Sequence, residues 1–115
     1  VLNGIYKVTF QSRSAMGEVN LALDNGKIEG SDDIALYEGQ YQDSMGKMTA
    51  SVTLTNLTAR VSPVLGVFAK TTLQLAGESH PTTFALNGTL PNNPNEKISV
   101  QGQRIGDLTA KRVAK

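Results

Sequence analysis

The sequence contains no cysteine and no tryptophan, one histidine, and only 5% aromatic residues among 115. Without cysteine there is no disulfide framework, no thiolate chemistry and no cysteine-built zinc site. The lone histidine, His80, precedes Pro81 in a stretch of turn residues, where it is a poor metal ligand and reads as an exposed turn residue. With so few rings the core must be built from Val, Leu, Ile and Ala, a thin interior that a partner subunit would help. No apolar run approaches the ~20 residues a transmembrane helix needs, and no membrane association is expected. Formal charge is only +1, with a pI near 8.2. A phosphate backbone demands a clustered basic surface, so nucleic acid is not the expected partner. The one basic cluster, Lys111, Arg112 and Lys115, belongs to a solvated tail over 108–115 behind a single domain over 1–107. The chain opens at Val1, without a methionine or a signal-peptide pattern, which leaves room for residues removed ahead of it.

Signatures of catalysis are missing too. There is no P-loop, no nucleophile elbow and no Gly-x-Gly-x-x-Gly run opening a helix. Asp32 and Asp33 are neighbours on an extended chain, so their side chains diverge and cannot share a proton as a dyad. They read as turn residues that bond nearby backbone N–H groups. Asn56-Leu57-Thr58 and Asn87-Gly88-Thr89 match a glycosylation sequon, a short pattern that recurs by chance, and the second falls inside a strand. No enzyme, cofactor or metal is expected.

What the sequence does have is a period of two. Tyr6, Val8 and Phe10 share one face of Ile5–Gln11, and Val19, Leu21 and Leu23 share one face of Gly17–Leu23. Asn25-Gly26 follows, the strongest short hairpin signal, and leads into a short strand over Lys27–Glu29. Ala35–Gln42 carries Tyr37, Gly39 and Tyr41 on one face. Lys47–Thr55 alternates with Met48, Ala50, Val52 and Leu54 inward. Further strands are predicted over Val67–Ala76, Thr82–Leu90 and Lys97–Ile105, joined by Gly77–Pro81 and Pro91–Asn95. The one long connection, Asn56–Gly66, contains Pro63 and has room for a helix within Thr58–Leu65, as does the tail. Short links mean antiparallel neighbours. Gly39, Gly88 and Gly102 fall on inward faces, where glycines mark the bends or bulges that close a sheet. Eight such strands predict an all-β, small antiparallel up-and-down barrel.

The barrel suggests two uses. It could hold a small apolar ligand in a cavity lined by Tyr6, Phe10, Tyr37, Tyr41, Val52, Leu73 and Phe84, although the Gly-x-Trp signature of lipocalins is absent. Otherwise those tyrosines bond to protein groups in a filled core, and the outside of the barrel does the work. No exposed apolar patch is evident beyond Met45, Val64 and Leu65.

Asn3-Gly4-Ile5-Tyr6 opening one strand, Gly17-Glu18 starting the next, the Asn25-Gly26 hairpin, then Gly30-Ser31-Asp32 and Tyr37-Glu38-Gly39 resemble the GrlR family, negative regulators of type III secretion genes in enteric bacteria. The likeness covers about the first forty residues, and continues as strand pattern. It implies a lipocalin-like (calycin-like) barrel, a homodimer, a cytoplasmic location, and action by binding a transcriptional activator without chemistry. Two departures stand out. The family's Gly-Gly-Asp is Gly30-Ser31-Asp32 here. The family's acidic Glu-Asp-Glu-Asp tetrad, implicated in activator binding, is replaced by Asp43, Ser44, Met45, Gly46 and Lys47. That candidate partner loop keeps one acid and adds a base, so it would not attract a basic surface as the tetrad does.

Overall fold

Asn25 and Gly26 both take positive φ, 51° and 87°. These are the angles of a two-residue hairpin turn, whose twist matches the strands it joins. From such turns the chain builds eight strands: β1 Gly4–Gln11, β2 Met16–Asp24, β3 Lys27–Ser31, β4 Ala35–Ser44, β5 Lys47–Asn56, β6 Lys70–Ser79, β7 Thr83–Leu90 and β8 Asn93–Gly106. The computed structural model describes residues 1–13, 15–58, 69–90 and 93–108. Each strand pairs antiparallel with the next, and β8 returns to β1, so the sheet is a closed barrel. The predicted all-β up-and-down barrel is the fold of the chain.

Alternation decides what lies inside. Every inward side chain named above is buried, the glycines Gly39 and Gly88 being half-buried, and twenty apolar side chains form one cluster. The outward positions carry mostly Lys, Glu, Gln, Asn, Ser and Thr, with apolar residues among them at Ile5, Met16, Ala22, Leu36, Ala76, Ala85 and Ile105. A barrel that is apolar inside and polar outside reverses the polarity of a lipid-facing one. Among the described residues no helix is long and apolar enough to cross a membrane.

Three strands differ from expectation, β3 running on past Glu29 to Ser31, and so does the role of the inward glycines. β6 continues through Gly77, Glu78 and Ser79, because Ser79 turns inward and its N–H donates to the Gly46 carbonyl at 2.9 Å. The predicted linker Gly77–Pro81 therefore shrinks to His80-Pro81-Thr82. β8 begins at Asn93, not Lys97, so most of Pro91–Asn95 belongs to the strand. The inward glycines are not bulges. Gly39 pairs in unbroken register with Val52, and a Cβ there would lie 2.1 Å from the Ser51 carbonyl oxygen. Gly102 lies under the Phe84 ring, 2.2 Å from where its Cβ would be. Both mark close approach. The register shifts occur instead between Ile5 and Tyr6, and between Thr89 and Leu90. Val64, Leu65, the helix considered within Thr58–Leu65 and the basic residues of the tail lie outside the described residues.

Candidate functional site

The seven proposed cavity residues are all core residues, none more than 9% exposed. Tyr6 packs its ring 5.7 Å from that of Phe84, and Phe10 stacks on Tyr37 at 5.7 Å with an interplanar angle of 11°. The Tyr6 and Tyr37 hydroxyls are used by the protein itself, at opposite ends of the barrel. Tyr6 donates to the Leu2 carbonyl at 2.6 Å, with the Pro81 carbonyl at 3.3 Å. Tyr37 donates to Asp32 Oδ2 at 2.8 Å. Burial raises both phenol pKa values; Arg104 partly offsets the rise at Tyr6, and the Asp32 hydrogen bond and charge add to it at Tyr37. Tyr41, Val52 and Leu73 belong to the same cluster.

Asp32 is a turn residue, as its position in the sequence implied. Its Oδ1 accepts the N–H groups of Ile34 and Ala35, both at 2.8 Å, while Oδ2 accepts Tyr37. All of this carboxylate's bonding serves the β3–β4 turn. His80 sits at the opposite end of the barrel, in the β6–β7 turn near Leu2, and is exposed. His80 and the Asp32-Asp33 pair therefore do not meet. Among the described residues no three His, Cys, Asp or Glu side chains are grouped to hold a metal.

The loop expected at Asp43–Lys47 is much tighter than a loop. Asp43 and Ser44 end β4, Lys47 begins β5, and Ser44 pairs with Lys47. Only Met45 and Gly46 turn, with φ of 55° and 79°. Met45 is 99% exposed. Asp43 is engaged on both oxygens, by the Ser79 hydroxyl and the Val1 nitrogen. Methionine is an unusual residue at positive φ, which is why the sequence did not announce a second hairpin of this kind.

A feature missed by the sequence reading lies in the wall between β2 and β4. β3 is only 5 residues long, so its ladder with β2 runs from Asp24↔Lys27 to Leu21↔Gly30 and stops. The first half of β2, Met16–Asn20, extends past it. The other short ladder, β6–β7, ends at Ala76↔Asn87, but Gly88 still lies against the Gln74 carbonyl. At β2 an open groove of about 940 Å³ follows instead, with Glu18, Val19 and Asn20 on one side and Gly30, Ser31 and Asp32 on the other. Ile5, Ala22 and Leu36 contribute apolar surface, while Glu29 and Glu38 continue its acidic lining. Glu29 and Glu38 stand directly opposite each other on β3 and β4. Among the described residues neither has an ion-pair partner, while Glu18 has Lys7 at 3.6 Å. The only sequence signal was a three-residue strand prediction between longer neighbours.

Fold and surface together define a class: a small closed antiparallel barrel with an internally satisfied core and a notched, acidic wall. No family model matches the chain and no curated protein matches it.

Proposed function

We propose that this chain is a non-enzymatic, GrlR-like regulatory protein that acts by binding another protein, with a transcriptional activator as the partner class the resemblance implies. The observation that carries this reading is where the polar groups are spent. The Tyr6 and Tyr37 hydroxyls, which a carrier would aim at cargo, are bonded to the protein's own Leu2 carbonyl and Asp32 carboxylate. The described grooves open to the outside. The alternative, a carrier or sensor of a small apolar ligand inside the barrel, draws its support from the seven core residues, and the same hydroxyl geometry weighs against it. Homodimerisation and a cytoplasmic location accompany the proposal by resemblance. Since Met45-Gly46 is a tight turn and Asp43 is engaged by Ser79, the surface offered to a partner differs from the family's tetrad.

The test is native mass spectrometry on tagged protein recovered from its host after reversible crosslinking. A complex with one protein at fixed stoichiometry is expected. A bound mass of a few hundred daltons released on denaturation, with no protein partner, would establish the carrier instead.

A further inference from the structure

We infer that the free edge of β2 at Met16–Asn20 is a strand-addition site for an extended basic segment of a partner protein; this rests on the protein-binding reading above. Main-chain geometry comes first. A Cβ on Gly30 would lie 2.8 Å from the Asn20 carbonyl oxygen, so that carbonyl faces the β3 side of β2. Backbone groups alternate sides along a strand, so the N–H and C=O of Glu18 face the same way. Glu18 lies beyond the last β2–β3 pair, Leu21↔Gly30, and no described strand continues the ladder there. An unpaired edge of this kind is a template for another strand.

Charge then selects the occupant. A strand laid along Met16–Asn20 passes Glu18 on one side and enters a groove whose lining includes Glu29, Asp32 and Glu38. Alternate side chains on its outward face meet carboxylates, which favours Lys or Arg there. A second copy of this chain would set Glu18, Glu29 and Glu38 against themselves, so edge-to-edge self-pairing is disfavoured. The facing Glu29↔Glu38 pair points the same way. Like charges directly opposite cost stability, and an arrangement that costs stability is characteristic of a functional surface.

The probe is the capped peptide Ac-Lys-Val-Lys-Thr-Lys-Val-Lys-amide, titrated into the isotope-labelled protein at low salt. Amide shifts across Met16–Asn20, with slowed hydrogen exchange at Glu18, whose N–H faces the open side, are expected. Affinity should fall about tenfold on replacing lysine by glutamate in the peptide, and about tenfold in Glu29→Lys. Methylating alternate peptide nitrogens, which removes backbone donors and keeps every charge, should abolish binding. Glu29→Lys should also raise the thermal midpoint, so its lost binding cannot be ascribed to unfolding. Binding that survives methylation, shifts that avoid β2, or a chain that self-associates through β2 would overturn the site. Those failures leave a co-purified protein partner standing. Conversely, absence of any partner in the host would overturn the broader reading even with the peptide bound.

Discussion

The β4–β5 wall and the β2–β3 wall are built from similar residues and differ in how far they pair. β4 and β5 zip along their whole length, from Ala35↔Asn56 to the Met45-Gly46 turn, and approach so closely at Gly39 that no side chain fits. β2 and β3 pair only at one end, beside the Asn25-Gly26 turn, and leave the first half of β2 open. In the first wall every residue from Ala35 to Ser44 has a partner across the ladder. The other keeps an edge in reserve, and its short strand β3 sets Glu29 opposite Glu38 of β4, whereas on the far side of β5 Thr53 is bonded to Thr72 of β6 at 3.0 Å. Closure is therefore not uniform around a closed barrel, and a sparsely paired part is the part free to make new contacts.

The contrast is broken most severely at Gly39. Gly39→Val drives a side chain into the Ser51 backbone, which cannot rotate away, and should destabilise the barrel by about 3 kcal/mol in a denaturant titration. The matching change on the open edge, Asn20→Val, should cost well under 1 kcal/mol, because Asn20 is exposed. Equal costs would mean the two walls are equally closed.

Next is the turn that ends β3. Asp32→Ala removes the acceptor of two N–H groups and of the Tyr37 hydroxyl, and should cost about 2 kcal/mol. Tyr37→Phe removes one of those bonds and should cost about 1 kcal/mol near neutral pH. It should also change the alkaline limb. The native Tyr37 pKa lies above the ordinary 10.0, so above about pH 10 the unfolded chain releases a proton that the native state keeps. Stability then falls as pH rises, and this part of the fall should be lost in Tyr37→Phe, as read by unfolding free energies at increasing pH. An unchanged alkaline slope would show that neither burial nor Asp32 holds the Tyr37 proton in the native state.

The smallest effects should be gains. Met45→Asn places a residue suited to positive φ in the closed wall's turn and should stabilise by about 0.5 kcal/mol. Glu29→Lys should stabilise the open wall by a similar amount, about 0.5 kcal/mol, by replacing a facing like-charge pair with an opposite one. Thermal melts read both. A loss at Glu29→Lys would mean the glutamate is held by something it meets on the barrel.

Much of the barrel was legible because strands announce themselves locally. Tyr6, Val8 and Phe10, or Met48 through Leu54, sort to one face by alternation alone, and Asn25-Gly26 names its own turn. The errors came where a local cue pointed away from a tertiary fact. Gly77 in a Gly-Glu-Ser-His-Pro run looks like a linker, yet it continues β6 because β7 lies against it, with the Ala85 carbonyl oxygen 2.0 Å from where a Cβ would be. The inward position of Gly39 and Gly102 was readable; that they permit close approach was not, since Ser51 and Phe84 are distant in sequence. Likewise the seven cavity residues were correctly placed inside, but whether their hydroxyls faced a void or a protein acceptor depended on where Leu2 and Asp32 lay.

The sequence by itself determined the strand period, which residues face inward, and the absence of thiol chemistry, because each follows from a residue and its immediate neighbours. Only the tertiary structure decided that Asp43 is bonded to Ser79, that Tyr6 and Tyr37 spend their hydroxyls on the protein, and that β2 outruns β3. Those outcomes depend on register. Register around a closed sheet is set by all eight strands at once, so no single stretch of sequence contains it.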